Sequence, residues 1–229
     1  MAIESLKIFS PLAPRYDFVL SRTAVLAKLI KCQVPPRNRT EFSVGQQYWK
    51  QTNAADGFIF QLGGWTKDTA VILALWKDEA SIESFMKTLH DPIADKAQQT
   101  NCYSSISVNY LKHIMDIPAS PNSSKTHAKL IRVADCHVLE DRIDVFLEAQ
   151  QGIWNSGMSS VPGMLGGYVW QCSKVATRFL VTTYWESELA HRRYSNNEFP
   201  LLKQKAHLDR HMQDVDGFIV ITEPTWDVF

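Results

Sequence analysis

The stretch Gly57-Phe58-Ile59-Phe60-Gln61-Leu62-Gly63-Gly64-Trp65 decides the fold, because the chain contains a second version of it. That version reads Gly163-Met164-Leu165-Gly166-Gly167-Tyr168-Val169-Trp170. A repeat at this spacing indicates two copies of one supersecondary unit, each about half of the 229-residue chain. A unit of that size buries its own sheet poorly, so we expect the two copies to complete one fold by pairing.

Further matches flank this stretch and align the two copies. Ala27-Lys28-Leu29-Ile30 returns as Ala128-Lys129-Leu130-Ile131, and Leu75-Trp76 returns as Tyr184-Trp185. This alignment predicts that six of the seven tryptophans lie at or near corresponding positions of the two copies. The three expected pairs are Trp49 with Trp154, Trp65 with Trp170, and Trp76 with Trp185.

The periodicity of apolar residues predicts the same order of elements in both copies. A capping box of Asn38 and Glu41 is expected to begin the first helix, and Asp78 to cap the second. The last helix of the second copy is expected to extend to about Met212. Strands are predicted at residues 27–34, 58–62, 69–76 and 103–111, and again at 129–138, 165–171, 177–185 and 217–222.

The resulting order β-α-β-β-α-β is the ferredoxin-like arrangement, whose sheet has helices on one face only. Two bare faces packed together form a barrel, and the space between sheets and helices is available for a ligand. We therefore predict an α+β fold in which two tandem ferredoxin-like repeats form an intramolecular dimeric α+β barrel. Phe58, Phe60 and Ile72, or their neighbours, are expected at the contact between the copies. The predicted organisation is an extension at 1–25, a first repeat at 26–117, a Pro- and Ser-rich linker at 118–126 and a second repeat at 127–229.

Composition excludes several classes of protein. Lys and Arg number 24, as do Asp and Glu, so the chain has no net charge, which argues against a nucleic-acid binder because such proteins need a cationic surface. The longest apolar run, residues 70–76, is too short to span a bilayer, and the N-terminus does not resemble a signal peptide. The four cysteines are scattered and are expected to be reduced and buried. We predict a cytoplasmic protein without nucleic-acid or membrane partners.

One set of residues in the first copy is recognisable as a family pattern. It comprises Val34-Pro35-Pro36, Phe42-Ser43, Gln47, Trp49, Gly57-Phe58, Gln61-Leu62-Gly63-Gly64-Trp65, Leu75-Trp76, Ser84-Phe85-Met86, His90-Asp91 and Tyr103-Ser104-Ser105-Ile106-Ser107-Val108. This set is similar to the small bacterial YdbC-like family. That resemblance implies membership of the dimeric α+β barrels, alongside antibiotic-biosynthesis monooxygenases and IsdG-type haem-degrading enzymes, and it implies no particular reaction. The second copy has Asn197-Glu198-Phe199-Pro200 in place of His90-Asp91-Pro92, so a site built on that motif is expected once, in or near the first half.

His90 and Asp91 are the candidate catalytic residues. His90 follows Met86 by four residues and precedes Ile93 by three, which places it at the edge of the buried stripe of a helix. An imidazole oriented by a carboxylate can act as a general base toward a phenol or an acidic carbon. The alternative is a structural histidine that caps the turn before Pro92, with Asp91 in solvent.

Aromatic residues are the candidate ligand-binding residues. As a group they would form a flat apolar wall suited to a planar aromatic molecule, although each alone could equally be core. Gln61 could offer its amide to such a molecule, because the adjacent glycines permit close approach. The predicted set is Trp49, Gln61, Trp65, Trp76, Trp154, Trp170 and Trp185.

His207 supports an alternative in which the protein binds or degrades haem. Lys205-Ala206-His207 resembles the local pattern around the haem-ligating histidine of IsdG-like proteins. The asparagine that those proteins have on the first strand has no clear equivalent here. A solvated helix face is the other interpretation of His207 and His211, and we predict no metal site.

The chain contains no phosphate loop, dinucleotide fingerprint or Gly-x-Ser-x-Gly motif. For an enzyme, this leaves chemistry without a cofactor or chemistry with haem. Together with the resemblance to the dimeric α+β barrels, it leads us to predict a small-molecule enzyme of the antibiotic-biosynthesis monooxygenase type that uses no cofactor. Its expected substrate is an aromatic or polyketide-like intermediate held in the barrel, and its expected reaction is oxygenation or cyclisation. The alternatives are a haem protein and a non-catalytic module that binds a hydrophobic ligand. The chain is expected to be a monomer, by internal pairing of the repeats, or a homodimer.

Overall fold

The computed structural model describes residues 25–119 and 128–229. The predicted N-terminal extension, apart from Val25, and most of the predicted linker lie outside the described residues. Within the described ranges, no helix is long and apolar enough to cross a membrane.

The first repeat has the predicted order of elements. Its strands are β1 (Leu26–Gln33), β2 (Phe58–Thr66), β3 (Thr69–Trp76) and β4 (Ser105–Ile117). Its helices are α1 (Arg39–Gln46), which continues as a 3-10 helix over Gln47–Ala54, then α2 (Glu79–Thr88) and α3 (His90–Ala97). The second predicted helix is therefore two helices, with the break at Leu89.

The second repeat follows the same order. Its strands are β5 (Leu130–Val138), β6 (Met164–Cys172), β7 (Arg178–Trp185) and β8 (Met212–Thr222). Its helices are α4 (Ile143–Ala149), a π-helical segment over Gln150–Asn155, α5 (Ser156–Met158) and α6 (Glu188–Ala206). The expectation that the last helix reaches Met212 is wrong, because His207 takes a left-handed conformation that ends α6 and Met212 begins β8.

The eight strands form one closed antiparallel barrel in the order β1-β3-β2-β8-β5-β7-β6-β4. Each repeat supplies four adjacent strands, so the barrel closes at two seams between the repeats. One seam joins β4 to β6 along Leu111–Ile117, and the other joins β2 to β8 through only two residue pairs, Gly64 with Thr222 and Trp65 with Ile221. The predicted α+β fold, a dimeric barrel with both halves in one chain, is confirmed.

Strand pairing corrects the predicted alignment of the copies. Leu26 lies opposite Trp76, and Leu130 lies opposite Trp185. Leu26 therefore corresponds to Leu130, and the two Ala-Lys-Leu-Ile strings are out of structural register by three residues. An odd shift reverses the faces of a strand, so Leu29 lies in the barrel interior whereas Leu130 packs under the helices.

The barrel interior is a packed apolar core. Leu29, Leu73 and Leu111 from the first repeat share this core with Val133, Trp170 and Tyr184 from the second. The exposed fraction of each of these six residues is 1 % or less. Phe60 packs against this core, as expected, but Phe58 and Ile72 point outward toward the helices. Two cavities lie outside the packed interior, between each half-sheet and its helices, which is the space that the predicted fold leaves available for a ligand. The place where a substrate binds stays a prediction.

Two helix caps were predicted, and one forms. Asp78 Oδ1 accepts the backbone N–H of Ser81 at 2.8 Å and begins α2. Asn38 makes no side-chain cap to α1. Its amide instead donates to the carbonyl oxygen of Cys102 at 3.1 Å, because the end of α3 lies beside the start of α1.

Candidate active site

The first repeat contains a cavity of about 270 Å³ between the outer face of its four strands and helices α1–α3. We call it the first-repeat cavity. Four of the predicted site residues line it, namely Trp49, Gln61, Trp76 and His90. The fold thus brings together predicted site residues that are up to 41 positions apart in the chain. A concave, mainly aromatic and apolar lining with few polar groups is typical of a small-molecule site.

His90 begins α3 and lies against the aromatic wall of this cavity. Its ring centroid is 5.4 Å from that of Trp49 and 5.9 Å from that of Phe85, the latter edge to face. His90 Nδ1 is 2.8 Å from Asp91 Oδ1, so the predicted pair forms. When Nδ1 donates to the carboxylate, Nε2 is the basic nitrogen that remains available to a ligand. The Asp91 side chain is 84 % exposed, so its influence on the ring is weakened by water.

Trp49 is fixed by a chain of side-chain amides. Its Nε1 donates to Gln99 Oε1 at 2.7 Å, and Gln99 Nε2 donates to the carbonyl oxygen of Phe42 at 2.8 Å. Gln99 Nε2 also lies 3.2 Å from Gln46 Oε1. Gln46 and Gln99 are buried and line the cavity with Trp49. These bonds join α1 to the segment after α3 and set the position of the Trp49 ring.

Two buried polar atoms beside the cavity have no hydrogen-bond partner. They are the indole nitrogen Nε1 of Trp76 and the hydroxyl Oγ1 of Thr52. The two side chains are 1 % and 2 % exposed, and both residues line the cavity. A buried polar group without a partner costs about 1–3 kcal/mol, which a bound polar ligand would offset. Orphan donors in a cavity wall are therefore a sign of a ligand site.

Gln61 lines the cavity, but its amide nitrogen is already used. Gln61 Nε2 donates to the carbonyl oxygen of Trp226 at 3.1 Å, and the Gln61 backbone exchanges two hydrogen bonds with Val228. Trp226 is fully buried against Phe42 and Trp65. Gln61 thus fastens the C-terminal segment of the second repeat to the first repeat, a role that the sequence did not predict.

Lys28 of β1 is the cavity residue that sequence reasoning missed most clearly. Its side chain is 7 % exposed and lines the cavity. Its Nζ lies 3.5 Å from the sulfur of Met86 and 5.6 Å from the centre of the Tyr110 ring. Burial lowers the pKa of Lys28 below its usual value of 10.5. A usable signal was present, since Lys28 has the same strand parity as Leu26, Ile30 and Cys32, which all point under the helices.

The second repeat has a related cavity of about 230 Å³, lined by Trp154, Tyr194 and Phe199. We call it the second-repeat cavity. Arg132 lines it at the position that strand pairing makes equivalent to Lys28. Asp216 lines it as well, whereas no histidine is among the described residues of its wall. The two cavities therefore share a basic group at equivalent positions but differ in the histidine and the acid.

Three predicted ligand-binding tryptophans are core residues instead. Trp65 packs against Phe42 and Trp226, Trp170 fills the barrel interior, and Trp185 packs under α6. Trp65 and Trp170 also fail to correspond, because the two lie on opposite faces of the barrel wall. The Nε1 atoms of Trp170 and Trp185 donate to Thr182 and Thr183 at 2.9 Å each. Among the predicted tryptophans, Trp49 and Trp76 line the first-repeat cavity and Trp154 lines the second-repeat cavity.

His207 is exposed at the C-terminal end of α6 and lines neither cavity. A haem bound there would have to lie on the surface, so the residues present do not fit a buried haem. In the part of the chain that the structure describes, no three His, Cys, Asp or Glu side chains are grouped closely enough to hold a metal ion. The four cysteines are free and buried, as expected.

Comparison with protein families gives one match in each repeat. Residues 26–111 match a domain of unknown function, DUF4937. Residues 130–199 match the antibiotic biosynthesis monooxygenase family. The second repeat is therefore similar to an antibiotic biosynthesis monooxygenase domain over these residues. The finer resemblance of the first repeat to YdbC-like proteins stays a prediction, and no curated protein matches the sequence.

Several solved structures share the fold of this chain over both repeats. A monooxygenase candidate from Lactobacillus acidophilus is 12 % identical, has a TM-score of 0.67, and aligns over 90 % of this chain and 96 % of its own. A monooxygenase candidate from Fusobacterium nucleatum is 9 % identical, with a TM-score of 0.71 over 88 % and 94 % of the two chains. An anthrone oxidase-like protein is 10 % identical, with a TM-score of 0.66 over 88 % and 92 %. At these identities the likeness concerns the fold.

Proposed function

We propose that this chain is an enzyme that removes a proton from an aromatic or polyketide-like intermediate bound in the first-repeat cavity. The resulting anion then reacts with molecular oxygen or with a carbon of the same molecule, without a cofactor. The observation that supports this proposal most directly is the position of His90, in the wall of a cavity lined by aromatic rings and by two unpartnered polar groups. The antibiotic biosynthesis monooxygenase match in the second repeat agrees with the reaction type.

Each residue has a defined role in this proposal. The rings of Trp49 and Trp76 contact the flat faces of the substrate, and the orphan Nε1 of Trp76 donates to one of its oxygens. His90 Nε2 accepts the proton, while Asp91 keeps Nδ1 protonated and orients the ring. In the oxygenation of a methylene group, one atom of O₂ enters the product as a carbonyl and the other leaves as water.

Anthrone is a suitable probe of this chemistry, because its methylene is acidic and its oxygenation product, anthraquinone, absorbs at a different wavelength. We expect His90→Ala to lower the rate of anthraquinone formation by about 10²–10⁴, the usual contribution of a general base. Asp91→Asn should lower it only a few-fold, because the carboxylate is largely exposed. Oxygen uptake measured beside product formation checks the stoichiometry.

A histidine outside both cavities provides the control. His137 lies 3.8 Å from Asp135 and is 44 % exposed, so His137→Ala removes a similar pair elsewhere on the barrel. This variant should retain the wild-type rate. Equal rates for the wild type and His90→Ala would remove His90 as the base. Tight binding of anthrone with no product in any condition would favour the ligand-binding module instead.

A further inference from the structure

Lys28 is a buried cation for which the structure supplies no anion. Within the described ranges, no Asp or Glu lies within 4 Å of its Nζ, and no acidic residue lines the first-repeat cavity. The nearest groups are a thioether and an aromatic ring, neither of which replaces a carboxylate. Burial of an ammonium group in such surroundings is unfavourable, which the lowered pKa of Lys28 reflects.

A partly buried cation in the same barrel shows what a structural pairing looks like. Arg178 forms a two-point ion pair with Asp135, with Nε 2.8 Å from Oδ1 and Nη2 2.5 Å from Oδ2. A third nitrogen, Nη1, donates to Asn109 at 3.0 Å. The fold thus satisfies Arg178 from its own residues. Lys28 is different, and its charge faces a cavity.

The position of Lys28 recurs in the second repeat as a basic residue. Arg132 occupies the equivalent place on β5 and lines the second-repeat cavity. A basic group at equivalent points of both cavities indicates a feature of the site rather than an accident of packing. In the second repeat Asp216 lines the wall too, so only the first-repeat cavity combines a basic group with a wall free of acids.

We infer that the first-repeat cavity binds an aromatic anion, with the negatively charged oxygen of the ligand on Lys28 Nζ and its ring between Trp49 and Trp76. Thr52 Oγ1 and Trp76 Nε1 donate to the remaining oxygens, which gives both orphan groups a partner. The inference rests on the same cavity as the proposed function and names its substrate class: a ring system bearing a carboxylate or an ionised hydroxyl. An ammonium group at that oxygen would also stabilise the charge that proton removal by His90 creates.

The test is calorimetric titration with 1-naphthoate and with its neutral analogue 1-naphthamide. On the wild type at pH 7, naphthoate should bind with one site and more tightly than naphthamide. Lys28→Met removes the charge at nearly constant volume and should weaken naphthoate by about 10- to 100-fold, the weight of a charged hydrogen bond. Naphthamide should bind the wild type and this variant within about three-fold of each other.

Two control variants locate the effect. Lys112→Met removes an exposed lysine from the neighbouring strand β4 and should leave naphthoate binding unchanged. Arg132→Met removes the equivalent charge from the second-repeat cavity and should also leave it unchanged. A loss of affinity in Arg132→Met but not in Lys28→Met would overturn the assignment, as would wild-type protein that binds naphthoate no better than naphthamide.

The outcome is separate from that of the proposed reaction. If naphthoate binds through Lys28 while His90→Ala retains full anthrone turnover, the anion site stands and the catalytic proposal fails. If His90 proves essential while Lys28→Met binds naphthoate as the wild type does, the catalytic proposal stands and the anion site fails. The wild-type comparison of the two ligands needs no variant, so a folding defect in Lys28→Met would not obscure the result.

Discussion

At the scale of single residues, the first-repeat cavity contains buried polar groups that lower the stability of the folded protein. Lys28, Thr52 and Trp76 each bury a polar group whose requirements the surrounding residues leave unmet. Natural proteins satisfy most such groups, and exceptions concentrate where a ligand is bound. The cavity wall is therefore expected to be less stable empty than a purely apolar wall of the same shape.

This expectation gives a stability prediction for Lys28→Met. The variant should unfold at higher urea concentration than the wild type at pH 7, with a gain of about 1–3 kcal/mol from removing a buried group without its partner. Because burial lowers the pKa of Lys28 in the folded state, the unfolded state binds more protons between that lowered value and 10.5. Wild-type stability therefore rises with pH across that window, and the gap between the two proteins should narrow as the pH approaches 10.5.

Urea denaturation at pH 7 and pH 10 measures the effect. Lys112→Met, which removes an exposed lysine, should change stability by no more than about 0.5 kcal/mol at either pH. A Lys28→Met protein less stable than the wild type at pH 7 would show that Lys28 is satisfied within the fold and would contradict the prediction.

The sequence located part of the site at this scale. Trp49, Trp76 and His90 were predictable because each sits on an apolar face that must turn inward. Thr52 and Gln99 were not, because their importance lies in which partners the fold brings near, and that depends on contacts between distant segments. Trp65, Trp170 and Trp185 occur in apolar stretches of the sequence, as Trp49 does, so the pattern does not separate core residues from cavity residues. The closed barrel shows that these three are core.

At the scale of strands, the pairing of neighbouring strands aligns the two repeats correctly, whereas the short identical sequence strings do not. The two Ala-Lys-Leu-Ile strings suggested that Lys28 corresponds to Lys129, which is exposed just before β5. The true counterpart, Arg132, was found only from the residues opposite Trp76 and Trp185. The order and type of the strands followed from periodicity, because one face of each must be apolar, but their register depends on partners far along the chain.

The short seam between β2 and β8 depends on a glycine. A Cβ on Gly64 would run into the carbonyl group of Ile221, because the two strands approach closely there. We expect Gly64→Ala to destabilise the protein by about 1–3 kcal/mol, the usual result of forcing atoms into a packed position. Thermal unfolding followed by circular dichroism measures the change.

Gly152 is the matched control for this substitution. A Cβ at Gly152 would meet nothing within 4 Å, and the residue lies in the π-helical segment of the second repeat. Gly152→Ala should be neutral or slightly stabilising, because alanine reduces the freedom of the unfolded chain. If both variants lose the same stability, the close approach at the β2–β8 seam is not the cause.

At the scale of the whole molecule, the two repeats are halves of one core. Leu29 and Leu73 of the first repeat are buried in the same core cluster as Val133 and Tyr184 of the second. Expressed alone, residues 26–117 would expose this apolar barrel face together with the free edges of β2 and β4. Exposed apolar faces and unpaired strand edges favour association.

We therefore expect residues 26–117 to form a homodimer or an aggregate. The full chain cut within 118–126 should remain associated, because both seams and the common core persist. Size-exclusion chromatography with light scattering distinguishes these states. A soluble, monomeric first repeat with cooperative unfolding would mean that the barrel is not needed to stabilise it.

The C-terminal segment determines when the barrel can close during synthesis of the chain. β8 closes the barrel against β2, and Trp226 completes the core around Phe42 and Trp65 at the opposite end of the chain. The ribosome makes these residues well after the first repeat. Trp226 follows Ile117 by 109 residues, which take about 5–22 s to synthesise at about 5–20 residues per second. During those seconds the nascent first repeat has no complete partner for its apolar face, and a message cut short before the codons for β8 yields a chain that cannot form the β2–β8 seam.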